Sequence, residues 1–146
     1  MESKRMILVA DVLKAISDNR SLELFRIVAL TKPDAGILIS KTKLTRKQYY
    51  SRMSALVSTG LIKRTNGKYT MTAFGKLIYY ALIIMENATS SYWKLKAIDS
   101  LEMSNELPIE ERKKMIDSFI DNQEIKDVLV SSNRKFESGP YDVESL

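Results

Sequence analysis

The chain contains no cysteine and no histidine. Without thiol or imidazole there is no disulfide, no Cys/His zinc site, and no catalytic triad built on those groups. Five glycines are scattered along the chain and none forms a phosphate-binding loop. An H-E-x-x-H pair and a nucleophile elbow are also missing, so no enzyme, metal site or cofactor is expected. Long apolar runs are lacking too. The longest, from Leu77 to Met85, is about half of the ~20 residues a membrane span requires. Lys4 and Arg5 precede an apolar stretch that Asp11 and Lys14 interrupt before it reaches the length of a signal sequence. A soluble, cytoplasmic protein without a membrane partner is the expectation.

Acid is missing from one block in particular. The net charge is +5, but residues 35–85 hold nine Lys or Arg and no Asp or Glu. Residues 1–34 are nearly balanced, with six basic and five acidic side chains, and residues 86–146 carry eight against thirteen. Segregation on this scale sets up a positive field over the middle of the chain, the footprint of a polyanion-binding surface.

Within that block, Leu44 to Met71 reads as a capped helix followed at once by a tight hairpin. Thr45 and Gln48 have the spacing of a capping box, and Leu44 and Tyr49 that of a hydrophobic staple. Tyr49, Met53, Leu56 and Val57 recur at helical spacing and define an apolar face. Gly60 suits the left-handed residue of a Schellman ending, which folds Leu61 back onto Leu56. Asn66-Gly67 is the preferred pair for a type I′ turn. It sets Ile62 opposite Met71 and Arg64 opposite Tyr69, with a basic tip from Thr65 to Lys68. A helix with basic residues at its N-terminal end, followed directly by a basic hairpin, is the order of a winged helix-turn-helix.

Thr45, Tyr49, Met53, Leu56, Gly60, Leu61 and Ile62 resemble the recognition helix and first wing strand of ArsR- and MarR-type transcriptional regulators. Tyr69-Thr70-Met71-Thr72-Ala73-Phe74-Gly75 is similar to the Y-x-L-T-x-x-G join from wing to helix in small archaeal winged-helix regulators. The resemblance covers roughly the middle half of the chain. It implies sequence-specific binding of double-stranded DNA by a homodimer. Two positions depart from the pattern. Ile39 stands where a small residue is usual at the helix crossing, and Lys43 where a glycine is usual in the turn.

The remaining segments frame this unit. Met6, Val9, Leu13 and Ile16 mark a first helix within residues 1–16. The winged unit then spans residues 17–86. Its second helix, Asn19 to Leu30, has Ser17 or Asp18 as cap and Leu22, Phe25, Val28 and Ala29 inward. A short helix from Asp34 to Lys41 follows, with Ile37, Leu38 and Ile39 inward. Thr72 caps a helix that runs to about Met85 and is apolar nearly all round. Such a helix needs cover on more than one side, and Gly75 in its first turn suggests close approach of another backbone. Glu86 to Ser91 reads as a break or a weakened helical stretch. Residues 87–130 form a helical extension that serves dimerisation or packing: Tyr92 to Met103, a helix begun by Pro108, and a last one restarted at Asp121 or Asn122. Residues 131–146 read as a disordered tail.

The fold expected is therefore mostly α with a small β-hairpin wing, a winged helix-turn-helix with additional N- and C-terminal helices. Residues Thr45–Thr59 would enter the major groove N-terminus first. Thr45, Arg46, Lys47, Gln48 and Tyr50 would face base edges or nearby phosphates, with Ser51 and Arg52 further along. Lys43, Lys63, Arg64, Asn66 and Lys68 would contact phosphates or the minor groove, the wing being Ile62–Met71. The partners expected are double-stranded DNA and a second copy of the chain, joined through the helix from Ala73 and its flanking helices. The alternative is a winged-helix scaffold for protein–protein interaction, since fold alone does not fix function.

Overall fold

The computed structural model describes residues 6–102 and 108–130; the expected tail, 131–146, lies outside them. The described residues form eight helices and one two-stranded antiparallel hairpin, so the fold is mostly helical with a small β wing. The chain divides into two compact units, Met1–Ala81 and Leu82–Leu146. Among the described residues no helix is long and apolar enough to cross a membrane.

The first unit begins with α1 (Val9–Ala15) and α2 (Asn19–Thr31). Asp18 caps α2, its carboxylate accepting the backbone N–H groups of Arg20 and Ser21. Leu24, Phe25 and Val28 are fully buried. Leu22, expected inward, is only half-buried, and Leu24 takes its place. The reason is that α2 packs against α3, α4 and the second hairpin strand together, so its covered arc is wider than a single stripe. Phe25 meets Tyr79 edge-to-face at 5.8 Å, a pairing worth ~0.5–1.5 kcal/mol beyond the area buried. On α1 the inward residues are Val12, Ala15 and Ile16, and Met6, Val9 and Leu13 stay exposed.

Asp34 caps α3 (Ala35–Thr42) by accepting the Ile37 N–H at 2.9 Å. Leu38 is fully buried but Ile37 is exposed. Consecutive helical residues lie ~100° apart, so three in a row cannot share one face. Thr42, also buried, satisfies its hydroxyl by donating to the Leu38 carbonyl at 2.7 Å. Lys43, Leu44 and Thr45 then make the turn, with Lys43 left-handed at φ 52°. The chain turns as glycine would allow, at a strain of ~1–2 kcal/mol for a residue bearing Cβ.

The next helix, α4 (Arg46–Ser58), has both halves of the capping box: Gln48 N–H donates to Thr45 Oγ1, and Thr45 N–H to Gln48 Oε1, each at 3.2 Å. Its end is the Schellman motif. Gly60 sits at φ 76°, Gly60 N–H reaches the Val57 carbonyl at 3.0 Å and Leu61 N–H the Leu56 carbonyl at 3.1 Å. Tyr49, Met53 and Leu56 are buried, but Val57, expected with them, is exposed. The hairpin follows at once, β1 (Ile62–Thr65) and β2 (Lys68–Met71), in the register Ile62↔Met71, Lys63↔Thr70, Arg64↔Tyr69, Thr65↔Lys68. Asn66 and Gly67 both have positive φ, 52° and 74°, as a type I′ turn requires.

Two features tie the hairpin to the helices. The segment before α3 runs along β2, with an antiparallel bridge between Asp34 and Lys68 and a bond from Tyr69 N–H to the Pro33 carbonyl at 2.9 Å. On the other side Thr72 latches α4 to α5 (Ala73–Ser90). Its hydroxyl oxygen accepts the Gly75 N–H at 2.8 Å and bonds back to the Gly60 and Leu61 carbonyls. A Cβ at Gly75 would overlap the Leu61 carbonyl, so the first turn of α5 sits against that backbone as only glycine permits. The helix continues through the stretch read as a break or a weakened helical stretch and ends at Ser90.

The second unit contains α6 (Tyr92–Glu102), α7 (Ile109–Phe119) and α8 (Gln123–Val130). Ile98, Ile116, Ile120 and Ile125 form its buried cluster, with Leu95, Met115 and Leu129 packed on it. Asn122 starts α8, its side chain accepting the Ile125 N–H at 3.0 Å.

Candidate nucleic-acid interface

The N-terminal end of α4 presents side chains of one charge sign. Arg46, Lys47, Gln48, Tyr50 and Ser51 are exposed, as are Lys43 and Thr45 in the turn before them. The first turn of α4 contains no acidic residue. Its cations therefore face the positive end of the helix dipole, a conflict of ~0.3–1 kcal/mol each. A phosphate placed there meets both the cations and the dipole favourably.

Not every exposed side chain is equally available. Gln48 commits its carbonyl oxygen to the capping box. Pairing with an adenine uses the carbonyl and the amide together, so reading a base would require Gln48 to release the Thr45 N–H. Tyr50 leans edge-on against Tyr49, with centroids 5.2 Å apart. Arg52 is half-buried and turned inward, its Nε donating to Asp18 at 3.3 Å. The structure thus engages Arg52 with the start of α2, and leaves Arg46, Lys47 and Ser51 exposed in the first two turns of α4 with neither a cap nor a side-chain pair among the described residues.

Beneath this surface, Tyr49 anchors α4 to the hairpin. It is fully buried, and its hydroxyl has no hydrogen-bond partner among the described residues. Burial first, and then the adjacent Tyr69 phenol, push its pKa above the ordinary tyrosine range. On the hairpin, the Arg64 guanidinium lies 5.8 Å from the Tyr69 ring centre, a cation–π arrangement that limits its freedom before any ligand arrives. Lys63, Asn66 and Lys68 are exposed. Lys63 and Arg64, being neighbours in a strand, point to opposite faces of the hairpin.

Asp18 is the functional neighbour that sequence reading assigned only to helix capping. Partial burial works against its ionisation, but bonds from the Ser21 N–H and hydroxyl, and then Arg52, outweigh burial and hold its pKa below the ordinary carboxylate value. The Asp18–Arg52 link joins residues 34 apart, which no periodicity could signal. Among the described residues no group of three acidic side chains is placed to hold a metal ion. No protein-family model, curated protein or solved structure matches the chain.

Proposed function

We propose that the protein is a sequence-specific double-stranded DNA-binding transcriptional regulator of the ArsR/MarR-like winged-helix type, working in the cytoplasm. In this reading α4 enters the major groove and the hairpin rests on the backbone or in the minor groove. The observation that carries it is the exposed, acid-free cationic end of α4, contiguous in the chain with a basic hairpin. Arg46, Lys47 and Ser51 are the base-facing candidates, with Lys43, Lys63, Arg64, Asn66 and Lys68 on phosphates. Thr45 and Gln48 hold the helix start, and Arg52 acts by fixing α4 on α2. A second copy of the chain joins through α5 and flanking helices, in keeping with exposed Phe74, Leu77 and Tyr80 on α5 and Met6, Val9 and Leu13 beside α1.

A gel-shift series with random duplex DNA tests the first step. Binding at low salt that falls steeply with added salt is expected, since each neutralised phosphate adds ~0.9 to the slope of log affinity against log salt. Selection from a random duplex pool then reports specificity, and a palindromic product with half-sites about one helical turn apart reports the dimer. No shift at any salt overturns the reading. That outcome would favour the scaffold alternative, for which the specific observation is Trp93, 76 % exposed and edge-on to Tyr92.

A further inference from the structure

The face of the hairpin that carries Lys63 looks onto a cleft of about 370 Å³ bounded by α2 and α5. We infer that this cleft is a binding site for a small organic anion, an apolar body bearing one phosphate or carboxylate group. Three lysines line it, one from each wall: Lys32 at the end of α2, Lys63 on β1 and Lys76 in the first turn of α5. No carboxylate is among the lining residues, and no ion pair to these lysines occurs among the described residues. A cleft with like charges on every wall focuses a positive potential and concentrates counter-ions.

Two further observations separate this cleft from a merely basic surface. Thr70, directly across the strands from Lys63, lines it with a hydroxyl oxygen that is shut off from solvent and has no hydrogen-bond partner among the described residues. Buried hydroxyls are rarely left unpaired; rotation of the Thr70 side chain toward the cleft would let an anionic oxygen accept from it. Val28, Ala29 and the Tyr79 ring give the same cleft an apolar side. Its volume falls within the ~300–1,000 Å³ of small-molecule sites and is far more than a lone inorganic anion needs. The combination of three cationic donors, an orphaned hydroxyl and an apolar wall selects an amphipathic anion.

The cleft shares Lys63 with the proposed DNA contacts, so the test changes Lys32 and Lys76, which are not among them. The test is titration of the full chain, followed by amide chemical shifts, with phenyl phosphate, benzoate and inorganic phosphate at matched ionic strength. Saturable shifts centred on Thr70, Lys76 and Tyr79 are expected with phenyl phosphate or benzoate, the tighter of the two naming the head group. Inorganic phosphate should bind more weakly than phenyl phosphate. Lys32→Gln with Lys76→Gln should weaken binding at least ~10-fold, as loss of charge-assisted bonds would. Thr70→Val should weaken it several-fold with an unchanged or higher melting temperature. The inference is overturned if no probe saturates, if sodium chloride gives the same shifts, or if the double variant binds the organic anions as tightly as wild type. Duplex binding measured on the same double variant reports separately on the DNA reading.

Discussion

The starts of α2 and α4 are built from the same part and serve opposite ends. Each opens on a residue whose side chain accepts backbone N–H groups, Asp18 in one and Thr45 in the other. At α2 the acceptor is charged, is reinforced by Ser21 and Arg52, and opposes the positive end of the helix dipole. At α4 the cap is neutral, and the next two residues are cations. A chain that can cap a helix with a carboxylate in one place has left it out in the other. What differs is the surroundings: the cap of α2 is itself bonded by Ser21 and Arg52, whereas the start of α4 projects its side chains outward. On the proposed reading, α2 is arranged for its own stability and the end of α4 for a polyanion.

Changing the charges at α4 is the severest test of that contrast. Arg46→Ala with Lys47→Ala should lower duplex affinity by about 100-fold, the sum of two lost charge-assisted contacts of ~1–3 kcal/mol each. The same variant should melt higher, because each removed cation relieves ~0.3–1 kcal/mol of dipole conflict. Gel shift and calorimetry on one sample check both signs, and a variant that loses stability along with affinity breaks the comparison.

Next in size is the cap on the other helix. Asp18→Ala should destabilise the protein by ~0.5–2 kcal/mol through the lost cap, measured by urea unfolding. Asp18→Asn keeps an accepting oxygen and removes only the charge, so it should cost less. Because Asp18 is held below its unfolded pKa, its charge contributes fully above the ordinary carboxylate value of ~3.9 and is lost as pH falls through the depressed folded value. Wild type and Asp18→Asn should therefore differ at neutral pH and converge in strong acid. Since Asp18 is close to half exposed, solvent screening keeps the difference small.

The smallest effect sharpens the comparison by making α4 resemble α2. Thr45→Asp should raise stability by ~0.3–1 kcal/mol through a better cap and dipole match, and should weaken duplex binding by setting a carboxylate among the proposed phosphate contacts. Thermal melts and gel shifts again read the two signs separately.

How far the sequence spoke depended on the range of each interaction. The α4 capping box, the Schellman ending and the hairpin register are written in residues at most nine apart, and each stands in the structure at the expected positions. Gly75 carried a correct hint of close approach, because its absence of a side chain is local even though the Leu61 backbone it meets is not. Longer connections were silent. Arg52 looks like any other basic side chain of α4 until Asp18 is seen beside it. The Asp34–Lys68 bridge is a backbone contact with no side-chain signature. The inward faces of α3 and α4 were misjudged at Ile37 and Val57 for a related reason. Apolar spacing shows which residues can share a face, but the packing partner decides which of them is covered.

The Thr72 latch has one more consequence. Because Gly60 and Leu61 are joined to Thr72 and Gly75 at the base of the hairpin, the splice between α4 and α5 closes without help from the strands beyond it. Beyond the latch, Lys68 and Tyr69 still hold β2 to the segment before α3, so only the tip at Asn66 and Gly67 can change in length without moving the two helices.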